Sequence, residues 1–186
     1  MILTRSSLNE VTPHDEKVFS LFEPHIEWIS KGKAGVPVEL GIRVCVLEDQ
    51  YQFILHHTVM EKQTDDQVAV SMVRDTQSRF PDLKITSFDK GCHSSNNQKE
   101  LKELLDVSGL PRKGKLSKQA KSHQDSKEFR FARRKHSAVE SAINALEVHG
   151  LDRCLDHGIY GFKRYVAFAV LSRNIQRIGA LLKIQE

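Results

Sequence analysis

The chain has few cysteines and no closely spaced pair of them. Its three cysteines, Cys45, Cys92 and Cys154, are far apart in the sequence, and none belongs to a CxxC motif. This spacing argues against a cysteine-based zinc site, and the odd count argues against a disulfide framework. We therefore expect three reduced and mostly buried thiols.

Long apolar runs are also absent. The longest apolar stretches fall well short of the roughly 20 residues that a membrane helix needs, and the first residues, MILTRSSLNEVTPHDE, contain no secretory-signal core. A cytoplasmic location without membrane contact is the expectation. With 186 residues, of which 39% are hydrophobic and 28% charged, the chain has the composition of a globular protein with one domain.

Acidic residues are scarce in one segment. From Pro111 to Lys135 the chain has ten lysines or arginines and two acidic residues, a local net charge of +8. Such a segment is either a solvated basic loop or a surface that contacts phosphates, and charge alone favours neither interpretation. Because residues 115–128 contain almost no apolar side chains, we predict an inserted basic loop over 112–130.

Hydrophobic periodicity predicts a mixed sheet with helices on its faces. The tract VPVELGIRVCVLED alternates as one half-buried strand, and YQFILHHTVM should pair with it as an antiparallel hairpin. A disordered or truncated start over 1–16 precedes them. A helix capped by Thr64 or Asp65 follows, with Val68, Met72, Val73 and Phe80 on one face, and then a strand in LKITSFDKG. The next helix is capped by Ser94 or Ser95 and buries Leu101, Leu104 and Leu105, and the helix after it has the apolar stripe Val139, Ile143 and Leu146 and ends at Gly150. A turn between Gly158 and Gly161 then leads into a long apolar helix.

Two carboxylates occupy positions that suit a metal site. Asp89 ends a predicted strand just before a glycine turn, and Glu140 lies at the centre of an amphipathic helix. Hard oxygen ligands of this kind suit Mg²⁺ or Mn²⁺. Taken alone, however, an aspartate before glycine is more often a turn residue, and a glutamate within a helix is more often a surface residue paired with a base.

The motif order resembles a known family. Five tracts carry the resemblance, in this order: KVFSLFEPHIEWISKGKAGVPVELGIRVCVLEDQYQFILHH, ITSFDKGCHSS, LPRKG, RRKHSAVESAINALEVHGLDRC and AVLSRNIQRIG. Together they are similar to the core of DDE transposases from bacterial insertion sequences, closest to the group filed as not yet classified (ISNCY). The resemblance runs from about Lys17 to Leu182. It implies an RNase H-like mixed β-sheet flanked by helices, from which the first strand is missing here.

The resemblance also implies roles for particular residues. Asp89 would be the second catalytic carboxylate and Glu140 the third, and both would hold Mg²⁺ or Mn²⁺. The first aspartate has no convincing counterpart, so we expect a truncated start. The basic residues expected to contact DNA are Arg112, Lys113, Lys115, Arg133, Arg134 and His136.

The implied function is metal-dependent DNA strand cleavage and transfer. The DNA would be the ends of the insertion sequence and its target, bound by a homodimer of the full-length protein at the bacterial nucleoid. Because the first aspartate is not identified, an inactive remnant that retains DNA binding or subunit association is the alternative.

Overall fold

The computed structural model describes residue 13 and residues 17–30, 37–151 and 153–184, without the side chains of residues 135, 137–141, 149 and 184. The predicted start over 1–16 therefore lies, except for Pro13, outside the described residues. The described chain is mixed α/β, as the sequence predicted. Its strands are β1 (Glu27–Ser30), β2 (Val38–Gly41), β3 (Arg43–Glu48), β4 (Ile54–Met60), β5 (Ile85–Ser87) and β6 (Val107–Gly109). Its helices are α1 (Asp65–Arg79), α2 (Ser95–Leu104), α3 (Lys118–Gln124), α4 (Lys127–Leu146) and α5 (Gly158–Ile184).

The predicted hairpin is present between β3 and β4. The two strands are antiparallel, with Val44 opposite Val59 and Val46 opposite His57. The prediction of one strand across residues 36–46 was wrong, because the alternating tract breaks at Ile42 and its first half, β2, pairs with β1. An unbroken alternation of apolar residues does not reveal that the two halves have different partners.

The strand before Asp89 belongs to a parallel pair. β5 and β6 run in the same direction, with Ser87 beside Gly109, and α2 connects them. A Cβ atom at Gly109 would lie 3.0 Å from the Cβ of Ala132 and 3.2 Å from the Cα of Ser87, so the glycine lets α4 lie close to this pair.

The six strands form three separate two-stranded sheets among the described residues, instead of the single mixed sheet that we predicted. Helices nevertheless join two of these sheets. On one side, α1 packs Val68 and Met72 against Leu47 of β3, and Ala69 and Val73 against Phe88, which follows β5. A single helix therefore packs on the β3–β4 pair and on Phe88 at the end of β5.

The other side is covered by α4 and α5. Leu146 of α4 and Val170 of α5 pack with Ile54 of β4, and Val46 of β3 borders this cluster. Val46 and its neighbour Leu47 thus point to opposite sides, as alternating residues of a strand must. The strands therefore form a middle layer, with α1 on one side and α4 and α5 on the other.

The starts of α1 and α2 agree with the sequence prediction. The backbone N–H of Thr64 donates to the side chain of Gln67 at 2.9 Å, and the backbone N–H of Asn97 donates to Ser94 at 3.1 Å. Such bonds satisfy amide groups at the first turn of a helix. The predicted buried faces are largely correct, with Leu101 and Leu105 in the core. Phe80 is the exception, since it is 41% exposed after the end of α1.

The last three helices differ more from the sequence prediction. The predicted basic loop contains α3, which Ser117 caps and whose Ala120 is buried. Ile143 is 42% exposed, because Ala142 and Leu146 form the inner face of α4. Gly158 begins α5 instead of a turn. Gly150 has the left-handed φ of +103° expected of a residue that ends a helix.

None of the described helices combines the length and apolar character required to cross a bilayer.

Candidate active site

Asp89 lies at the surface, directly after the carboxyl end of β5 and Phe88. It precedes a single 3₁₀ turn, Lys90–Cys92, and its side chain makes no capping hydrogen bond to that turn. The carboxyl end of a parallel strand is where the sites of α/β proteins gather. The carboxylate therefore has both the position and the freedom that a ligand-binding role requires.

A buried asparagine holds the turn after Asp89 in place. The Nδ2 group of Asn97 donates to the carbonyl of Cys92 at 2.8 Å and to the carbonyl of Asp66 at 2.6 Å. It thereby ties the turn to the first residues of α1. The sequence analysis did not single out Asn97, and the signal that could have found it is a polar residue at a position of α2 that faces the core.

Gly91 allows the turn to approach α1. A Cβ atom at this position would collide with the carboxylate of Asp65. A larger residue at position 91 would therefore require the carboxylate of Asp65 to move, which costs little because this carboxylate is the end of a flexible side chain.

Helix α4 crosses the end of β5 beside Asp89. The guanidinium of Arg133 donates to the carbonyl of Phe88 at 2.6 Å, and Nδ1 of His136 lies 3.2 Å from the hydroxyl of Ser87. These two predicted DNA-contact residues thus lie against the two residues that immediately precede Asp89.

Glu140 is on the same helix, but its side chain is outside the described atoms. It follows His136 by four residues and Arg133 by seven, spacings that place these three positions on one face of an α-helix. Its position is therefore one turn beyond the contacts with β5. The proximity of its carboxylate to Asp89 stays a prediction.

Lys113 reaches the same turn from the segment after β6. Its Nζ donates to the carbonyl of Gly91 at 3.0 Å. Lys113 and Arg133 therefore bind carbonyls on either side of Asp89, and both keep further N–H donors that could bind an anion.

The other predicted DNA contacts are accessible to a ligand. Lys115 and Arg134 are exposed. Arg112 lines a cleft of about 200 Å³ together with Lys102 and His123, and no acidic side chain lines that cleft. The Nε2 group of Gln124, which also lines it, is buried without a hydrogen-bond partner. The cleft offers donors for an anionic group.

All three cysteines are free, and each is partly buried. Burial raises the pKa of the Cys45 thiol to about 11, and Asp65 adds to this shift. Burial likewise raises the pKa of Cys92 to about 12, with further contributions from Cys45, Asp65 and Asp89. The pKa of Cys92 thus responds to Cys45 of β3 as well as to its own surroundings.

Within the described side chains, no group of three histidine, cysteine, aspartate or glutamate residues could hold a metal ion. This statement does not extend to Glu140, whose side chain is not among those described. Asp89 supplies a suitable oxygen ligand, and a complete site would need Glu140 and at least one more acid.

No protein-family model matches the chain, and neither a curated protein nor a solved structure matches it. The geometry and the sequence resemblance therefore carry the functional proposal.

Proposed function

We propose that this chain is the catalytic part of a DDE transposase from a bacterial insertion sequence. The observation that carries the proposal is the crossing of α4 over the end of β5. There Arg133 and His136 contact the residues before Asp89, and Glu140 follows one helical turn later. An acid after a strand and an acid on a crossing helix are the two positions that the resemblance assigns to the second and third catalytic carboxylates.

The layered arrangement supports an RNase H-like fold with one strand missing. The strands β3 and β5 belong to different sheets, although α1 packs on β3 and on Phe88, which follows β5. In the fold that the resemblance implies, the first catalytic aspartate lies on a strand upstream of the hairpin, and none of the described residues before β3 is an aspartate.

Asp89 and Glu140, with that first aspartate, would hold the metal ions. Bound Mg²⁺ or Mn²⁺ would supply activation of a water or DNA 3′-hydroxyl and stabilisation of the leaving oxygen. The chain itself would position the DNA. Arg133 and Lys113, already fixed on the carbonyls beside Asp89, can donate their remaining N–H groups to phosphate oxygens.

The cleft around Arg112 would extend the DNA contact away from the reacting phosphate. Lys102, Arg112 and His123 present donors there. Each phosphate neutralised by a lysine or arginine releases counterions, so binding to DNA should weaken steeply as salt is added.

Binding of Mn²⁺ to this chain tests the proposed metal site, with electron paramagnetic resonance reporting free Mn²⁺. We expect Asp89→Asn and Glu140→Gln each to weaken Mn²⁺ binding by about tenfold or more, because each change removes one of the carboxylate ligands whose number and charge set the affinity for a hard cation. Asp82→Asn is the matched control, because Asp82 is exposed and lies before β5, at the opposite end of the strand. Equal Mn²⁺ affinity in the wild type and in Asp89→Asn would contradict the proposed site.

One observation favours the alternative of an inactive remnant, namely that no third acid joins Asp89 among the described side chains. Nicking of supercoiled plasmid in Mn²⁺ separates the two functions. An active transposase domain nicks the plasmid and loses this activity in Asp89→Asn. A remnant binds DNA and leaves the plasmid intact.

A further inference from the structure

The last helix, α5, has apolar side chains on two opposite sides. Its inner side is part of the core, with Val166 fully buried and Val170 only 7% exposed. Asn174, also on this side, exchanges hydrogen bonds with the backbone of Ile54 at 2.9 and 3.0 Å. A helix that is apolar on all sides is normally buried on all sides. We therefore expect another surface to cover the outer side of α5.

The outer side carries a regular row of large apolar residues, which we name the outer stripe. Its members are separated by three, four, three and four residues, and each is at least half exposed. They are Phe168 (66%), Leu171 (54%), Ile175 (58%), Ile178 (50%) and Leu182 (59%).

This spacing is the a and d repeat of a coiled coil, in which two helices interlock along a narrow apolar seam. Small residues beside the seam allow a second helix to come close. Ser172 lies next to Leu171, and a Cβ atom added at Gly179 would have no neighbour within 4 Å. If α5 stayed unpaired, this repeat of large apolar side chains would remain in contact with water.

The outer stripe also contains no charge. The two arginines of this stretch, Arg173 and Arg177, are only partly exposed, and Arg177 donates to the carbonyl of Tyr51 at 2.7 Å. An uncharged seam contains nothing that would repel an identical seam, whereas coiled coils that select a different partner use charges at the flanks.

We infer that the outer stripe of α5 pairs with the outer stripe of a second copy of this chain. Two identical 3–4 seams can interlock about a twofold axis, the commonest symmetry of protein pairs. Five apolar side chains at these exposures leave about 500 Å² uncovered per copy, so their complete burial in a pair would remove about 1,000 Å² in total, the lower limit for a specific interface. The resemblance implies a homodimer of the full-length protein, and this inference names a surface that would form it. Because α5 takes no part in the contacts around Asp89, the pairing can be tested apart from the proposed activity.

Sedimentation velocity across a concentration series tests the pairing. The wild-type chain should sediment as a dimer that dissociates on dilution. Ile175→Glu should remain folded by circular dichroism, because Ile175 is outside the core, and should sediment as a monomer. Leu155→Glu is the control, since Leu155 is 75% exposed and lies outside α5, and it should leave the dimer unchanged. A monomeric wild type at every concentration, or a dimer that persists in Ile175→Glu, would overturn the inference.

Cross-linking identifies the surface directly. Ile175 is the central residue of the outer stripe, so it meets its own counterpart whether the two helices run parallel or antiparallel. In a Cys154→Ser background, oxidation of Ile175→Cys should give a disulfide-linked dimer, whereas oxidation of Leu155→Cys should not. An Ile175→Cys variant that stays monomeric on oxidation would show that something other than a second copy covers α5.

Discussion

At the scale of single residues, the surroundings of Asp89 are held mainly by bonds to backbone carbonyls. Asn97 binds the carbonyls of Asp66 and Cys92, while Arg133 and Lys113 bind those of Phe88 and Gly91. These contacts fix the main chain around Asp89 and leave its carboxylate free. A ligand-binding acid on a rigid backbone needs little reorganisation when it binds.

The Asn97 bridge makes a measurable contribution to stability. We expect Asn97→Ala to lower the free energy of unfolding by about 2 kcal/mol, because two partly buried carbonyls lose a side-chain donor. Urea unfolding followed by circular dichroism measures the change. Asn96→Ala is the matched control, since Asn96 is exposed and binds only the side chain of Glu100. A similar loss in both variants would mean that Asn97 has no special role.

The two thiols between β3 and the turn should resist alkylation in the folded state. Thiolates are the reactive form, and the raised pKa values of Cys45 and Cys92, about 11 and about 12, keep both thiols neutral at pH 8. Their reaction with iodoacetamide should rise only as the pH approaches 11 or when the protein unfolds. Intact-mass analysis with and without guanidinium measures this, and rapid modification of both residues in the folded protein at pH 8 would contradict it.

The sequence predicted Asp89 at a strand end and Glu140 within a helix, because local patterns determine those positions. It did not predict Asn97 or the contacts of Arg133 and Lys113. Those depend on how α2, α4 and the segment after β6 pack around the turn, and such packing is set by contacts distant in the sequence.

At the scale of secondary-structure elements, caps and apolar spacing were the reliable signals. They predicted α1 and α2 because Thr64 and Ser94 each precede a periodic apolar face. Helix α3 was missed since only Ala120 anchors it to the core, although Ser117 gave a capping signal. The division of residues 38–48 between two sheets could not be predicted, because alternation is the same whichever partner a strand has.

The approach of α4 to β5 predicts which basic residues matter for DNA. Arg133→Ala and Lys113→Ala should each weaken binding to a short duplex and lower the slope of log affinity against log salt by about one, as the loss of one phosphate contact does. Fluorescence anisotropy at several salt concentrations measures both effects.

The control for these variants is Lys84→Ala, since Lys84 is an exposed lysine at the opposite end of β5. It should leave both the affinity and the salt slope unchanged. If all three variants bind DNA equally well, the surface around Asp89 is not where DNA binds.

At the scale of the whole molecule, three layers bring distant parts of the sequence to one edge. Helix α1 packs on the β3–β4 pair and on Phe88 after β5 from one side, and α4 runs along the other side. The proposed function requires that α4 carry Glu140 back over the end of β5, towards Asp89. The outer stripe of α5 is on the far side of this arrangement and would leave the site open in a dimer.

The distance between the carboxylates of Asp89 and Glu140 in an experimental structure with Mn²⁺ tests this account most directly. We predict a separation of about 4–8 Å, close enough for both to flank a pair of metal ions, with Mn²⁺ density between them. Carboxylates that point to different faces of the domain, with no metal ion near either one, would contradict it.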